Sequence, residues 1–198
     1  MLKKTLSSAV SLLILAGINA PTPTQAKDYV LAQGSNDSIT FGYAVTSGGG
    51  CRPNDQVISP NGTSLSILFE NFVSEGRYEK CNLRIPVTVP DGFFIQDIDV
   101  TYQGFKDIKP GGRGFFKSTY SVGADVIRGA NENFGPGADT YVIRKPFTIA
   151  AFSRCGFDSN IGVNMTAYAS NGSMVALDTV DFQAGEVRLD FKIARCRR

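Results

Sequence analysis

From Cys51 onward, apolar residues recur at every second position, and that period commits the chain to β-structure. Leu65, Ile67 and Phe69 alternate with Ser64, Ser66 and Leu68, and Leu83, Ile85, Val87 and Val89 alternate with Asn82, Arg84, Pro86 and Thr88. Period two puts such residues on one face of a strand, whereas a helix needs apolar spacings of three and four. The same rhythm places Phe94, Ile98, Val100 and Tyr102 on one face, then Phe116, Tyr120 and Val122. It returns in Tyr141, Ile143, Phe147 and Ile149, and in Ile161, Val163, Met165 and Ala167. The last runs are Val175, Leu177 and Thr179, then Val187, Leu189, Phe191 and Ile193. Between them stand turn formers: Pro60-Asn61-Gly62, Pro90-Asp91-Gly92, Pro110-Gly111-Gly112, Gly135-Pro136-Gly137, Asn171-Gly172 and Ala184-Gly185. The expected fold is all-β, an antiparallel β-sandwich of roughly nine strands.

The first 26 residues differ in kind. Lys3 and Lys4 precede an uncharged apolar stretch, Val10 to Gly17, and two small-residue cleavage sites follow, ending at Ala20 and Ala26. This is the layout of a secretory signal peptide, and the apolar run falls short of the ~20 residues a spanning helix needs. Cleavage after Ala26 is expected. The resulting division is a signal peptide over 1–26, a lead-in segment over 27–50 with one strand at Ile39–Val45, and the sandwich over 51–198. The expected location is outside the cytoplasm: extracellular, on the cell surface, or periplasmic. No membrane span is expected in the mature chain.

Lys3 and Lys4 leave with the signal peptide and no acid does, so the 20 basic residues fall to balance the 18 acidic ones. A neutral domain has no general electrostatic reason to bind nucleic acid, and no nucleic-acid partner is expected. The terminal Arg195-Cys196-Arg197-Arg198 cluster is short and reads as solvated.

The four cysteines, Cys51, Cys81, Cys155 and Cys196, all follow the signal peptide. An even number in an exported chain, without CxxC spacing, reads as two disulfides rather than a metal site. A hairpin of Gln56–Ser59 with Ser64–Phe72 brings its two ends to one edge, which predicts Cys51–Cys81 and leaves Cys155–Cys196. The second pair carries a conflict, because three up-and-down strands would put its partners at opposite ends. Either a crossover intervenes or one strand is miscounted.

The absence of histidine removes Ser-His-Asp and Cys-His nucleophiles and every His-bearing zinc site. No GxSxG, phosphate-binding glycine motif or EF-hand pattern occurs, and no cofactor is expected. Carboxylate chemistry survives on paper, through Asp97 with Asp99, Asp178 with Asp181, Glu70 or Glu186. A glycosidase needs two such groups about 5–10 Å apart across a cleft. Strands with one wet face carry acids routinely, however. Asp97 and Asp99 are also the candidates for a calcium site with loop carbonyls.

The chain has no tryptophan, so any flat stacking surface must come from its 14 Phe and 7 Tyr. Tyr43, Tyr78 and Tyr168 fall at positions open to solvent, and Phe105 and Phe157 lie near turns. Arg113, in the Lys109–Gly114 loop, is placed to meet a partner. Of the sequons, Asn164-Met165-Thr166 sits inside a predicted strand, unlike those at Asn36, Asn61 and Asn171.

The order of punctuation resembles the secreted-protein family classed as domain of unknown function 4360, from about Gly49 to Cys196. Its pieces are Gly50-Cys51-Arg52-Pro53, Ser59-Pro60-Asn61-Gly62-Thr63 leading to Phe69 and Phe72, and Cys81-Asn82-Leu83. Pro90-Asp91-Gly92-Phe93, Tyr102-Gln103-Gly104-Phe105, Phe134-Gly135-Pro136, Cys155-Gly156 and the final Cys196 complete them. Asn61, Gln103, Phe152 and Phe191 stand where the family tends to have aspartate, arginine and two tryptophans. The resemblance implies export and disulfides, and no catalytic residue.

Three functional readings follow. The first is a non-enzymatic extracellular or cell-surface module whose partner is a glycan, a wall polymer or a protein. The second is a carboxylate-dependent polysaccharide hydrolase, and the third a secreted inhibitor or effector acting on a protein. The absence of catalytic constellations favours the first.

Overall fold

A computed structural model describes residues 38–51, 53–58, 62–69, 72–123, 125–148, 155–156, 158–177 and 185–196. The expected signal peptide over 1–26 and residues 27–37 lie outside them. The strands are β1 (Thr40–Phe41), β2 (Val45–Ser47), β3 (Pro53–Ile58), β4 (Ser64–Phe69), β5 (Val73–Glu75), β6 (Tyr78–Thr88) and β7 (Phe93–Ile108). They continue as β8 (Gly114–Val122), β9 (Asp125–Phe134), β10 (Gly137–Thr148), β11 (Asp158–Ala169), β12 (Met174–Ala176) and β13 (Gly185–Arg195). All pairings are antiparallel and make two sheets, as the alternation requires. The first sheet runs β1 and β2 on β6, then β11, β8 and β9. The second runs β3, β4, β13, β7 and β10, extended at one end by β5 and β12.

Several short segments are collinear pieces of one strand line. β12 pairs with Phe105–Asp107 of β7, while β13 pairs with Phe93–Gln103 along that same edge. The other edge of β7 is occupied by β10. One line is therefore interrupted between Ala176 and Gly185 rather than reversed, and this resolves the disulfide conflict. β11 runs away from Cys155, and β12 with β13 bring the chain back. The backbone amides of Gly156 and Cys196 donate to the carbonyls of Phe93 and Gly92 at 3.0 and 2.8 Å, and Cys155–Cys196 closes with Cα atoms 6.1 Å apart. Cys51–Cys81 closes at 4.7 Å, tying the loop after β2 to β6.

Two expectations about strands are corrected, and one strand is added to them. The lead-in strand at Ile39–Val45 is split into β1 and β2, because Gly42 faces Pro86, which has no N–H to offer the ladder. The chain still docks there, through the Gly42 amide to the Pro86 carbonyl at 2.9 Å. Ile95 is buried where the phase predicts Phe94, since β7 carries one extra residue, Gln96, opposite the Lys192/Ile193 step of β13. β9 escapes the sequence reading altogether. It is an edge strand whose bulge against β8 breaks the alternation.

The core fills the gap between the sheets with inward residues of both. Aromatic pairs bridge the gap: Tyr120 stacks on Phe147 with ring centroids 4.3 Å apart, and Tyr102 meets Phe116 at 4.8 Å. The buried phenols find partners. The Tyr102 and Tyr120 hydroxyls share a 3.1 Å hydrogen bond, and Tyr141 donates to the Ala176 carbonyl at 2.9 Å. Burial pushes all three phenols above their ordinary pKa, which keeps them neutral donors. Tyr141→Phe removes a buried donor while leaving the ring, so urea denaturation is expected to show a loss of about 1–2 kcal/mol.

Candidate functional site

Strands β6, β11 and β8 lie side by side, and their alternate residues turned away from the core meet in rows. In the first row, Tyr168 of β11 stands opposite both Tyr78 of β6 and Phe115 of β8. The three rings converge into one cluster. Tyr78 and Tyr168 have centroids 4.7 Å apart, Tyr168 and Phe115 5.5 Å, and Tyr78 and Phe115 5.8 Å. Each distance falls in the range of favourable aromatic pairs. Tyr78 remains 59% exposed, while Tyr168 and Phe115 are half-buried against their neighbours.

The rows below the cluster are polar. Thr166 lies between Lys80 and Lys117, Asn164 between Asn82 and Thr119, and Gly162 between Arg84 and Ser121. The Lys117 ammonium sits 4.7 Å from the Phe115 ring centre, a cation–π contact. Asn164 ties the strands together: its amide donates to the Thr119 hydroxyl at 3.3 Å and its carbonyl accepts from Arg84 Nη1 at 3.3 Å. Gly162 is needed for this. A Cβ there would stand 2.2 Å from Arg84 Nη1 and 2.1 Å from Ser121 Oγ, so only glycine lets the guanidinium lie across the sheet.

The loop that carries Arg113 closes the aromatic end. It is held by the Gly112 amide on the Lys109 carbonyl at 2.8 Å and by the Arg113 amide on Ser170 Oγ at 3.0 Å. Arg113 is exposed two residues before Phe115. An open cleft of about 510 Å³ lies at this end, lined by Glu75, Asp107, Lys109 and Asn171 among others. Lys109 and Asp107 neutralise one another there at 2.5 Å.

The candidate acids lie elsewhere. Asp97 and Asp99 sit half-exposed on the outward face of the second sheet, where Asp97 accepts from the Thr148 hydroxyl at 2.8 Å and Asp99 pairs with Lys192 at 3.3 Å. Asp190 stands opposite Asp99. Burial alone would raise its pKa, but hydrogen bonds from Arg188 and Ser64 outweigh that and hold it below the ordinary Asp range. Glu186 is half-buried on β13, and Glu70, Asp178 and Asp181 lie outside the described residues. The inward-facing carboxylate of Glu79 is ion-paired with Arg77 at 2.6 Å. Among the described residues, no three His, Cys, Asp or Glu side chains gather as a metal site.

Of the aromatics singled out from sequence, Tyr78 and Tyr168 come together. Tyr43 is exposed between β1 and β2, Phe105 is half-buried on β7, and Phe157 lies outside the described residues. Phe115 was not anticipated. Its signal is the Phe115-Phe116 doublet: in a strand, adjacent residues face opposite ways, so burying Phe116 presents Phe115 outward.

The fold and this face define a disulfide-bonded β-sandwich domain with an aromatic and cationic outer surface. Residues 37–196 match the family described as Domain of unknown function (DUF4360), and the chain belongs to that family. No curated protein matches it. Three solved structures are distantly similar. The CBM22-1 xylan-binding domain of Paenibacillus barcinonensis Xyn10C is 9% identical at a TM-score of 0.30, over 81% of this chain and 89% of that one. The C-terminal CBM6 of LamC from Zobellia galactanivorans is 7% identical at 0.26, over 75% and 99%. The enzymatically active domain of bacteriophage CBA120 tailspike protein 4 is 11% identical at 0.30, over 80% of this chain but only 20% of that one. Likenesses this distant carry no functional argument.

Proposed function

We propose that the chain is an exported, non-enzymatic module that binds a carbohydrate on the outer face of its first sheet. The observation that carries this reading is the Tyr78–Tyr168–Phe115 cluster, turned outward from a sandwich whose other aromatic pairs fill the core. A pyranose ring presents a face of C–H bonds, which suits the negative face of an aromatic ring. Its rim of hydroxyls needs donors and acceptors, and the adjoining Thr166, Asn82 and Thr119 side chains offer both. The candidate acids support the non-enzymatic part, since Asp97 and Asp99 are occupied by Thr148 and Lys192 on an outward face. Export is supported by the signal-like N-terminus and by pairing of all four cysteines, which suits an oxidising compartment.

The test is a screen of the oxidised protein against immobilised glycans and wall polymers, alongside Tyr78→Ala and Tyr168→Ala. Retention of at least one glycan is expected, weakened about tenfold or more by either change, with polymer length unaltered. Shortening of a polymer would contradict the non-enzymatic reading. Retention indifferent to both tyrosines would contradict the platform.

A further inference from the structure

We infer that the carbohydrate this face takes is anionic, bearing uronate or sulfate groups; the inference rests on the platform reading above. Lys80 and Lys117 flank Thr166 in the row beside the aromatic cluster, and Arg84 lies four residues beyond Lys80 on β6, two rows further along the same face. Arg128 of β9 stands opposite Thr119, and Arg113 precedes Phe115 on the far side of the rings. The rows from Tyr78–Tyr168–Phe115 to Arg84–Gly162–Ser121 contain no carboxylate. Among the described residues, none of these five cations is ion-paired, in contrast to the second sheet, where Lys192 meets Asp99 and Arg188 meets Asp190.

This asymmetry is not a consequence of composition. Acids and bases balance once the signal-peptide lysines are set aside, so an acid-free cationic face requires the acids to be placed elsewhere. Neighbouring strands lie about 4.8 Å apart and alternate residues about 6.7 Å. Lys80 and Lys117, one row from the rings, and Arg113, two residues before Phe115, therefore stand within roughly a Debye length of a ligand stacked there. Arg128 and Arg84 lie two and three rows off and act on a longer chain or at low salt. A neutral sugar would gain hydrogen bonds from these donors but no charge–charge attraction. A uronate or sulfate would stack its ring on Tyr78 and set its anionic group towards Lys117, Lys80 or Arg113. A single-stranded nucleic acid fits less well, because its readers spread aromatic rings along a backbone track, and here three rings merge into one surface.

The deciding experiment uses matched probes on the oxidised full chain: polygalacturonate, alginate and hyaluronate, each beside its carboxyl-reduced form, together with a sulfated galactan and an oligo-dT strand. Affinity is read at low and high salt for the wild type, Tyr78→Ala and the double variant Lys80→Gln/Lys117→Gln. At least one acidic polymer is expected to bind about tenfold or more tightly than its neutral counterpart, with affinity falling as salt rises. The lysine variant should remove most of that preference, weakening binding of the acidic polymer far more than binding of its reduced form. Equal binding of reduced and acidic forms, or a lysine variant indistinguishable from wild type, would overturn the anionic inference and leave the platform reading standing. Binding of no glycan, or binding indifferent to Tyr78→Ala, would overturn both. Tighter binding of oligo-dT than of any glycan would also overturn the inference.

Discussion

Gly104→Ala is expected to lower folding stability by about 3 kcal/mol, measured by urea denaturation. The residue lies on β7 between β10 and β12. A Cβ there would stand 2.1 Å from the Ala176 carbonyl oxygen and 2.6 Å from the Tyr141 hydroxyl. Those are the two atoms that hydrogen-bond across this glycine at 2.9 Å, so the methyl both overpacks the site and separates a buried pair. Because the carbonyl is backbone, rotamer change cannot relieve the clash. The loss should exceed that of Tyr141→Phe, which removes the hydroxyl without adding volume. A Gly104→Ala protein as stable as wild type would mean that the β12 segment is not held against β7 as described.

Removing the Cys155–Cys196 bond by replacing both residues with alanine is expected to cost about 4 kcal/mol, because the bond closes a 41-residue separation that the unfolded chain would otherwise explore. For a domain of this size, that corresponds to a fall of about 10 °C in melting temperature. The effect is large beside the 5–15 kcal/mol that stabilises a typical domain. The bond joins the end of β13 to the segment before β11, and the Gly156 and Cys196 amides hold both against the β6–β7 turn, where Gly92 adopts a φ of 80°. The double alanine variant should therefore keep its sandwich but unfold more easily. A melting temperature within 2 °C of wild type would show that the unfolded chain is already constrained there, against the chain-entropy account.

The sandwich was legible because its inward residues keep strict alternation in the long central strands. Leu83, Ile85 and Val87 of β6 and Ile161, Val163 and Met165 of β11 are all buried as the period demands. Legibility failed where pairing is irregular. The β7 bulge at Gln96 moved burial from Phe94 to Ile95, Pro86 split the lead-in strand, and the bulged edge strand β9 has no clean period. The runs at Val175 and Val187 looked like successive up-and-down strands because a sequence pattern does not distinguish a reversal from an interruption. For the same reason the Cys155–Cys196 pair was reached by elimination, while the register explains it directly.

The site was half-visible. Tyr78 and Tyr168 could be proposed as exposed from their strand phase, yet their meeting depends on β6 and β11 being neighbours, although β7, β8, β9 and β10 lie between them in sequence. Phe115 and Lys117 join them only because β8 pairs on the other side of β11. The charge asymmetry was hidden for a related reason. Net charge sums over both sheets, and the acids of one face cancel the cations of the other.

The most direct test of the carbohydrate platform is a backbone amide NMR titration of the oxidised protein with the tightest glycan from the screen. The account predicts shift changes concentrated on Tyr78–Arg84, Arg113–Thr119 and Asn164–Ser170, with the outward face around Asp97, Asp99 and Asp190 unmoved. Changes centred on that second face, with the aromatic cluster silent, would contradict it.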